Sequence, residues 1–189
     1  MRIGVLAVQG AFAEHIAKLR KLGAEVYEIR QHRDTEQNFD GLVLPGGEST
    51  AMRKLLGELD LYEPLKKLIQ EGTPVFGTCA GMILLAKEIS GGETPCFGTL
   101  DISVKRNAYG RQLGSFRCLE KFDGKEIEMP FIRAPYAEKA GDNVTVLSEH
   151  EGRIVAVRQG NQLAAAFHPE LTDDMTVYKY FFEMIDKSI

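Results

Sequence analysis

The hydropathy pattern changes character halfway along the chain, and each half predicts its own kind of β-structure. From Arg2 to Val8 a nearly unbroken apolar run predicts a buried strand. Past Gln9-Gly10, the apolar residues Phe12, Ile16 and Leu19 fall at i, i+4 and i+7, one face of a helix that Gly23 stops. Glu25 to Arg30 alternates as a second strand and, after a polar loop, Gly41-Leu42-Val43-Leu44 supplies a third. Strand, helix and strand at this spacing argue for a right-handed parallel βαβ unit. The glycine-rich loop Pro45-Gly46-Gly47-Glu48-Ser49-Thr50 leads into helical positions around Met52, Leu55 and Leu56, and a second helical piece from Tyr62 to Glu71 closes at Gly72. Pro74, Val75 and Phe76 suit a fourth buried strand, and Ile83, Leu84 and Leu85 a helix after it.

After Ile89 the breaker cluster Ser90-Gly91-Gly92-Glu93-Thr94-Pro95 introduces short alternating runs at 99–105, 115–122, 126–132, 144–147, 153–158 and 163–167. Gly152 and Gly160-Asn161 sit where hairpin turns belong. This half reads as antiparallel β-structure added to the parallel sheet, with Ala164-Ala165-Ala166-Phe167 returning to the core. Thr172-Asp173-Asp174 precedes Tyr178, Phe181, Phe182 and Ile185, which reads as an N-capped amphipathic helix packing on the sheet. The expected class is α/β: a single domain over residues 1–189, with a mostly parallel open sheet flanked by helices and added antiparallel strands in its second half. In such sheets ligands lie beyond the carboxyl ends of the strands. The Gly46-Gly47 loop and the turn at Cys79 would then face one crevice.

Composition agrees: 189 residues with 44% hydrophobic and 26% charged content suffice for one well-buried domain and fall short of two full ones. A net charge of −4 without any run of Lys or Arg offers no electrostatic footprint for nucleic acid or an anionic membrane, which leaves a small polar substrate. No stretch approaches the ~18 apolar residues of a membrane span. The N-terminal apolar run is short and polar residues follow at once, so it reads as a strand rather than a secretory segment. The three cysteines, Cys79, Cys96 and Cys118, are odd in number and lack metal-ligand spacing. Neither a disulfide framework nor a zinc site is expected, no cofactor is implied, and a reducing cytoplasm fits.

The candidate chemistry centres on Gly77-Thr78-Cys79-Ala80-Gly81, where a strand runs through a glycine-flanked cysteine into a helix. A turn tight enough to strain its middle residue needs such glycines, and it would hold the thiol at a helix N-terminus, where unpaired N–H groups favour the thiolate. A buried core cysteine is the competing reading. The Pro-Gly-Gly loop is likewise either a ligand-facing turn or a plain βα turn with Ser49 or Thr50 as N-cap; it lacks the Gly-Lys-Ser/Thr of a P-loop. Among the four histidines, His15, His32 and His150 read as surface residues. His168 follows an apolar strand, is stiffened by Pro169, and has Glu170 two positions on, close enough for a carboxylate to bond one ring nitrogen and leave the other for a thiol.

Taken together, Gly77-Thr78-Cys79-Ala80-Gly81, Pro45-Gly46-Gly47-Glu48-Ser49 and His168-Pro169-Glu170 resemble the triad-type, class I glutamine amidotransferases. Gly4-Val5-Leu6-Ala7-Val8-Gln9-Gly10-Ala11, Leu44-Pro45-Gly46-Gly47-Glu48-Ser49-Thr50 and Phe131-Ile132-Arg133-Ala134-Pro135 resemble the glutaminase subunits of pyridoxal 5′-phosphate synthases. The resemblance covers nearly the whole chain. It implies a flavodoxin-like fold and hydrolysis of L-glutamine by a Cys79-His168-Glu170 triad, with backbone N–H groups of Gly47 and Ala80 as the oxyanion hole. It also implies that Gly47, Glu48, Ser49, Arg106, Ile132 and Arg133 hold the substrate, and that Gln9 lies near the oxyanion loop at a partner interface. A guanidinium at Arg106 or Arg133 could bind the α-carboxylate, although Arg106 also reads as a solvated surface charge. The partner implied is a (β/α)₈-barrel synthase in a hetero-oligomer, which receives the ammonia. Two rivals are another cysteine hydrolase on a similar scaffold and a catalytically silent binding module.

Overall fold

The computed structural model describes residues 1–106 and 114–188. In chain order the first half contains β1 (Arg2–Leu6), α1 (Phe12–Lys21), β2 (Glu25–Ile29), β3 (Gly41–Leu44), α2 (Ser49–Glu58), α3 (Tyr62–Gln70), β4 (Val75–Thr78), α4 (Ala80–Leu85) and β5 (Ala86–Ile89). The second half contains β6 (Leu100–Lys105), β7 (Ser115–Phe122), β8 (Lys125–Ile132), β9 (Tyr136–Ala140), β10 (Thr145–His150), β11 (Arg153–Gln159), β12 (Gln162–Ala165) and α5 (Thr176–Asp186). Among the described residues one sheet runs β2-β1-β3-β4-β12-β11-β9-β6-β5, with β10 branching from β11. From β2 to β12 every pairing is parallel. The strands β11, β9 and β6 then continue the sheet antiparallel. No helix of the described residues is long and apolar enough to cross a membrane.

The parallel part is what the apolar runs require. Ile3, Val5, Leu42, Val43, Val75, Phe76, Leu163 and Ala164 are all at most 1% exposed, so neighbouring positions on one strand are covered on both faces. Helix α5 seals one face with Tyr178, Phe181 and Ile185, each fully buried. The return of the segment after Gln162 to the core is realised as β12, inserted beside β4.

Several expectations change in detail. The strands β7 and β8 form a separate hairpin rather than extending the main sheet. Side chains hold it against β10: Phe131 stacks on His150, and the Ser148 hydroxyl donates to the Met129 sulfur. Helix α4 ends at Leu85, and the chain passes directly into β5, which pairs with β6. Strand β9, Tyr-Ala-Glu-Lys-Ala, carries little hydrophobic alternation and is held by backbone pairing to β6 and β11. Helix α5 starts at Thr176, whose N–H is accepted by Asp174 Oδ1 at 2.6 Å, while Thr172 Oγ1 caps the turn before it. Helix α2 is capped by Glu48, whose carboxylate accepts the N–H groups of Thr50 and Ala51 at 3.1 and 2.6 Å, and not by Ser49 or Thr50.

Two glycines let α4 lie directly on the sheet. A Cβ at Gly81 would come 2.1 Å from the Leu44 carbonyl oxygen, and one at Gly77 would come 2.7 Å from the Gly81 carbonyl carbon. These neighbours are backbone and cannot rotate away. Gly81→Ala is therefore expected to lower the unfolding free energy by about 2–3 kcal/mol. Gly57→Ala, in exposed helix with nothing within 4 Å of the added methyl, should raise it by about 0.5–1 kcal/mol. Denaturant titration of both variants checks this, and equal effects would contradict the close approach.

Candidate active site

Strand β4 ends at Thr78, and the next residue, Cys79, turns the chain with φ 47° and ψ −99°. A non-glycine residue there stores strain of order 1–3 kcal/mol and persists only where its surroundings impose it. They do: the Cys79 N–H donates to the Ala165 carbonyl at 2.8 Å, and Gly81 is pressed against β3. The strained turn expected from the glycine frame is thus present, and Ala80 is the first residue of α4, where an N–H has no partner within the helix.

The parallel register pairs Ala165 of β12 with Thr78 of β4, so both chains leave the sheet at the same level. His168 follows three residues later, fixed by its own N–H donating to the Pro130 carbonyl of β8 at 2.8 Å. Its Nδ1 lies 2.7 Å from Glu170 Oε1; a carboxylate only accepts, so Nδ1 carries the proton. His168 and Glu170 are 6% and 4% exposed. The Nε2 of His168 has no hydrogen-bond partner among the described residues. It is the nitrogen left for the thiol. Burial alone would lower the imidazole pKa, but the adjacent Cys79 and Glu170 outweigh it and raise the group well above its ordinary value. Burial would likewise raise Glu170, yet His15 and His168 hold it below the usual carboxylate range.

The Pro45–Thr50 loop lies over this pair. A Cβ at Gly46 would come 2.5 Å from His168 Cε1 and 3.4 Å from the Cys79 Cβ, which is why no side chain is tolerated there. Two bonds from the β1–α1 turn hold the loop: Ala11 N–H donates to the Gly46 carbonyl at 3.0 Å, and Glu48 N–H donates to Gln9 Oε1 at 2.9 Å. Gly10, with φ 90°, has room for no side chain, because a Cβ would sit 1.9 Å from the Gly46 oxygen.

Beneath the loop opens a cleft of about 410 Å³ lined by Gly47, Glu48, Ser49, Cys79, Ile83, Arg106, Ile132, Arg133 and His168. Of the residues expected to contact substrate, all but Ala80 are in this lining; Ala80 is 1% exposed under Cys79, Glu170 stands behind His168, and Gln9 behind the loop. Larger hollows of about 560 Å³ beside β7 and β10, and about 620 Å³ beside α2 and α3, contain no thiol. Within the cleft, Arg106 is not a free surface charge: it donates to Glu93 at 2.6 Å and to Glu48 and Thr50 at 3.3 Å. The Glu48 carboxylate is committed to capping α2 and to Arg106, and despite some burial these contacts keep its pKa low. Arg133 has φ 45° and donates its N–H to the Gly114 carbonyl at 2.5 Å, and the Ile132 carbonyl lies 4.0 Å from the Cys79 sulfur.

Two histidines expected at the surface are not there. His150 is half-buried, stacked on Phe131 and tilted against Phe116, with Nδ1 2.9 Å from Glu120 Oε1. His15 is fully buried behind Glu170, a position its place on the face shared by Phe12 and Leu19 could have signalled. Ile83, on the first turns of α4, is a wall of the cleft that sequence reasoning assigns only to a helix. Among the described residues one metal-type grouping exists, Cys118, Glu120 and His150, with ligand atoms within 4.8 Å of one another. The His150–Glu120 contact already satisfies two of the three groups, and burial with the nearby Glu120 and Glu151 pushes the Cys118 thiol up to about 11.

A sequence model of the SNO glutamine amidotransferase family matches residues 5–187. The chain belongs to that family. Family membership agrees with the strained cysteine, the His168–Glu170 pair and the glycine loop converging on one cleft. A protein named pyridoxal 5′-phosphate synthase subunit PdxT from Methanocorpusculum labreanum is 59% identical over 98% of both chains. One of the same name from Desulfitobacterium hafniense is 52% identical, covering 98% of this chain and 94% of that one. The crystal structure of a glutamine amidotransferase superposes with a TM-score of 0.91 at 43% identity, covering 97% of this chain and 98% of the other. The structure of PurLQS from Thermotoga maritima shares the fold, with a TM-score of 0.70 at 17% identity over 99% of this chain and 98% of that one.

The cysteines should separate by reactivity. Burial pushes both Cys96 and Cys118 up to about 11, which leaves almost no thiolate at pH 7, whereas Cys79 opens on the cleft. Iodoacetamide at neutral pH is expected to modify Cys79 first, by at least about tenfold in rate. Peptide mapping by mass spectrometry checks this, and first modification at Cys118 would contradict it.

Proposed function

We propose that this chain, as one glutamine amidotransferase domain over residues 1–189, hydrolyses L-glutamine to L-glutamate and ammonia and delivers the ammonia for pyridoxal 5′-phosphate synthesis. The observation that carries the reading is the register of β12 on β4, which sets His168 and Glu170 beside the strained Cys79 at the floor of a cleft sized for an amino acid. The two relatives named as pyridoxal 5′-phosphate synthase subunits support the acceptor.

Cys79 attacks the side-chain carboxamide carbon as a thiolate. The tetrahedral oxyanion is held by the N–H groups of Gly47 and Ala80; one such donor is worth about 10²–10³ in rate. His168, oriented by Glu170, gives its Nε2 proton to the departing nitrogen, the C–N bond breaks, and ammonia leaves a γ-glutamyl thioester. Water then loses a proton to the neutral imidazole and attacks the thioester, the C–S bond breaks, and glutamate departs with the thiol restored. Glu48, Ser49, Ile132, Arg106 and Arg133 line the substrate. The α-carboxylate is assigned to the guanidinium groups of Arg106 and Arg133, both in the cleft lining, and binding at Arg106 exchanges partners within its ion pairs with Glu48 and Glu93.

Ammonia is useful only if captured before it is protonated and lost. The receiving partner is a (β/α)₈-barrel synthase subunit in a hetero-oligomer in the cytoplasm, with Gln9, which braces the glycine loop, at the interface. The test is glutamate release from the chain mixed with the synthase subunit. Cys79→Ala is expected to abolish release, by at least about 10³-fold, and Arg106→Gln to raise KM with little change in kcat. Release unaltered in Cys79→Ala, or none from the wild-type mixture, would overturn the reading.

A further inference from the structure

We infer that His15 is a positioning residue for the glutaminase reaction, holding the Glu170 carboxylate in place against His168 from inside the core. The inference rests on the triad reading above. His15 projects from α1 and is fully buried. Its Nδ1 lies 2.8 Å from the Tyr178 hydroxyl of α5, and its Nε2 lies 3.0 Å from Thr78 Oγ1 of β4 and 3.4 Å from Glu170 Oε2. The second carboxylate oxygen of Glu170 has no well-formed hydrogen bond among the described residues, so His15 is the polar group that faces it.

These contacts select one tautomer. An ionised carboxylate repels a nitrogen lone pair, so the His15 nitrogen nearest Glu170 carries the proton and is shared between Glu170 and Thr78. The Nδ1 must then accept, and the donor is Tyr178, whose pKa burial drives upward so that its hydroxyl stays protonated. Desolvation keeps the His15 imidazole itself neutral, with its pKa lowered despite the Glu170 charge. The Tyr178 hydroxyl donates to His15 Nδ1, the His15 Nε2–H donates to Thr78 Oγ1 and faces Glu170 Oε2 from 3.4 Å, and Glu170 in turn accepts from His168. The groups facing this network are Glu14 on α1, Thr78 on β4, Tyr178 on α5, His168 and Glu170 on the turn after β12, and, across a hollow beside Glu170, the Arg117–Glu128 pair of β7 and β8. Lys18 points past it, to the Thr172 carbonyl and to Asp173. A buried carboxylate with one oxygen unserved is costly, and it relieves that cost by taking a proton or rotating off its partner. Either would release His168 from the tautomer that presents Nε2 to the thiol. Because Thr78 precedes Cys79, the same imidazole also ties the nucleophile's strand to its base.

The test compares His15→Leu, which fills the space without a donor, with His15→Gln, whose terminal amide nitrogen can replace Nε2–H. His15→Leu is expected to lower kcat by about tenfold, a fraction of the 10²–10⁴ that a positioned acid–base group supplies, with KM changed by less than about twofold. Loss of the donor raises the Glu170 pKa, so the acid limb of the kcat/KM profile should move to higher pH. His15→Gln should restore most of kcat and the original limb, and Tyr178→Phe, which frees the tautomer, should fall between. The pH dependence of Cys79 alkylation in the same variants reads the His168–Glu170 pair without glutamine, so it stands even if the glutaminase reading fails. A His15→Leu protein with the wild-type profiles in both measurements, or a His15→Gln protein as impaired as His15→Leu, would overturn the inference.

Discussion

The parallel pairing of β12 with β4 is the constraint on which the rest of the molecule depends. Its register sets Ala165 opposite Thr78, and a bond from the Cys79 N–H to the Ala165 carbonyl extends the ladder one step past the strand end. A slip of a single residue would break this ladder and carry His168 out of line with Cys79, so the pairing that builds the centre of the sheet also aligns the two chemical segments. The sheet also decides where the third segment lies. The loop Pro45–Thr50 leaves β3, the other neighbour of β4, at the same end. Three adjacent carboxyl ends thus deliver a cysteine, a histidine and a glycine loop to one place, and the residues that do so are separated in sequence by most of the chain.

That convergence puts ionisable groups where the core would otherwise exclude them. Glu170 is 4% exposed, and burial by itself would push its pKa up. It is tolerated because His168 serves one carboxylate oxygen and His15 faces the other. The support extends inward to Tyr178, whose ring packs against Phe76 of β4. The geometry of the site is therefore set by aromatic packing in the middle of the domain as well as by the loops at its rim. A side chain far from the cleft can matter because the low-dielectric surroundings make each unmet hydrogen bond expensive.

Much of this is legible from residue pattern. Continuous apolar runs identify β1, β3 and β4 because strands covered on both faces have no polar positions to spare. The glycines around Cys79 are visible as a frame because α4 and β3 approach too closely for a Cβ. What escapes has a common cause. Strands β5 and β9, Ala-Lys-Glu-Ile and Tyr-Ala-Glu-Lys-Ala, are held by backbone pairing with neighbours far away in sequence, and nothing in their own side chains declares it. Polarity assigns His15 to the surface, although its helical phase places it with Phe12 and Leu19. Periodicity is the better guide there, since a buried histidine needs only partners, and those come from β4, α5 and the turn after β12.

The walls of the cleft follow a related logic. Glu48 caps α2 and pairs with Arg106, Arg106 also pairs with Glu93, and Gln9 holds the N–H of Glu48. These side chains are structural before any substrate arrives, and their geometry is fixed by helix termini and turns rather than by free rotamers. A charged ligand entering the cleft exchanges contacts with groups already in place, so little side-chain entropy is spent on ordering the site. The same arrangement ties the loop above Cys79 to the β1–α1 turn through Gln9, Gly10 and Ala11. Because Gly10 has no space for a side chain under the Gly46 carbonyl, the two segments hold their relative position by contact, and the backbone of the Gly46-Gly47 loop takes its placement from both.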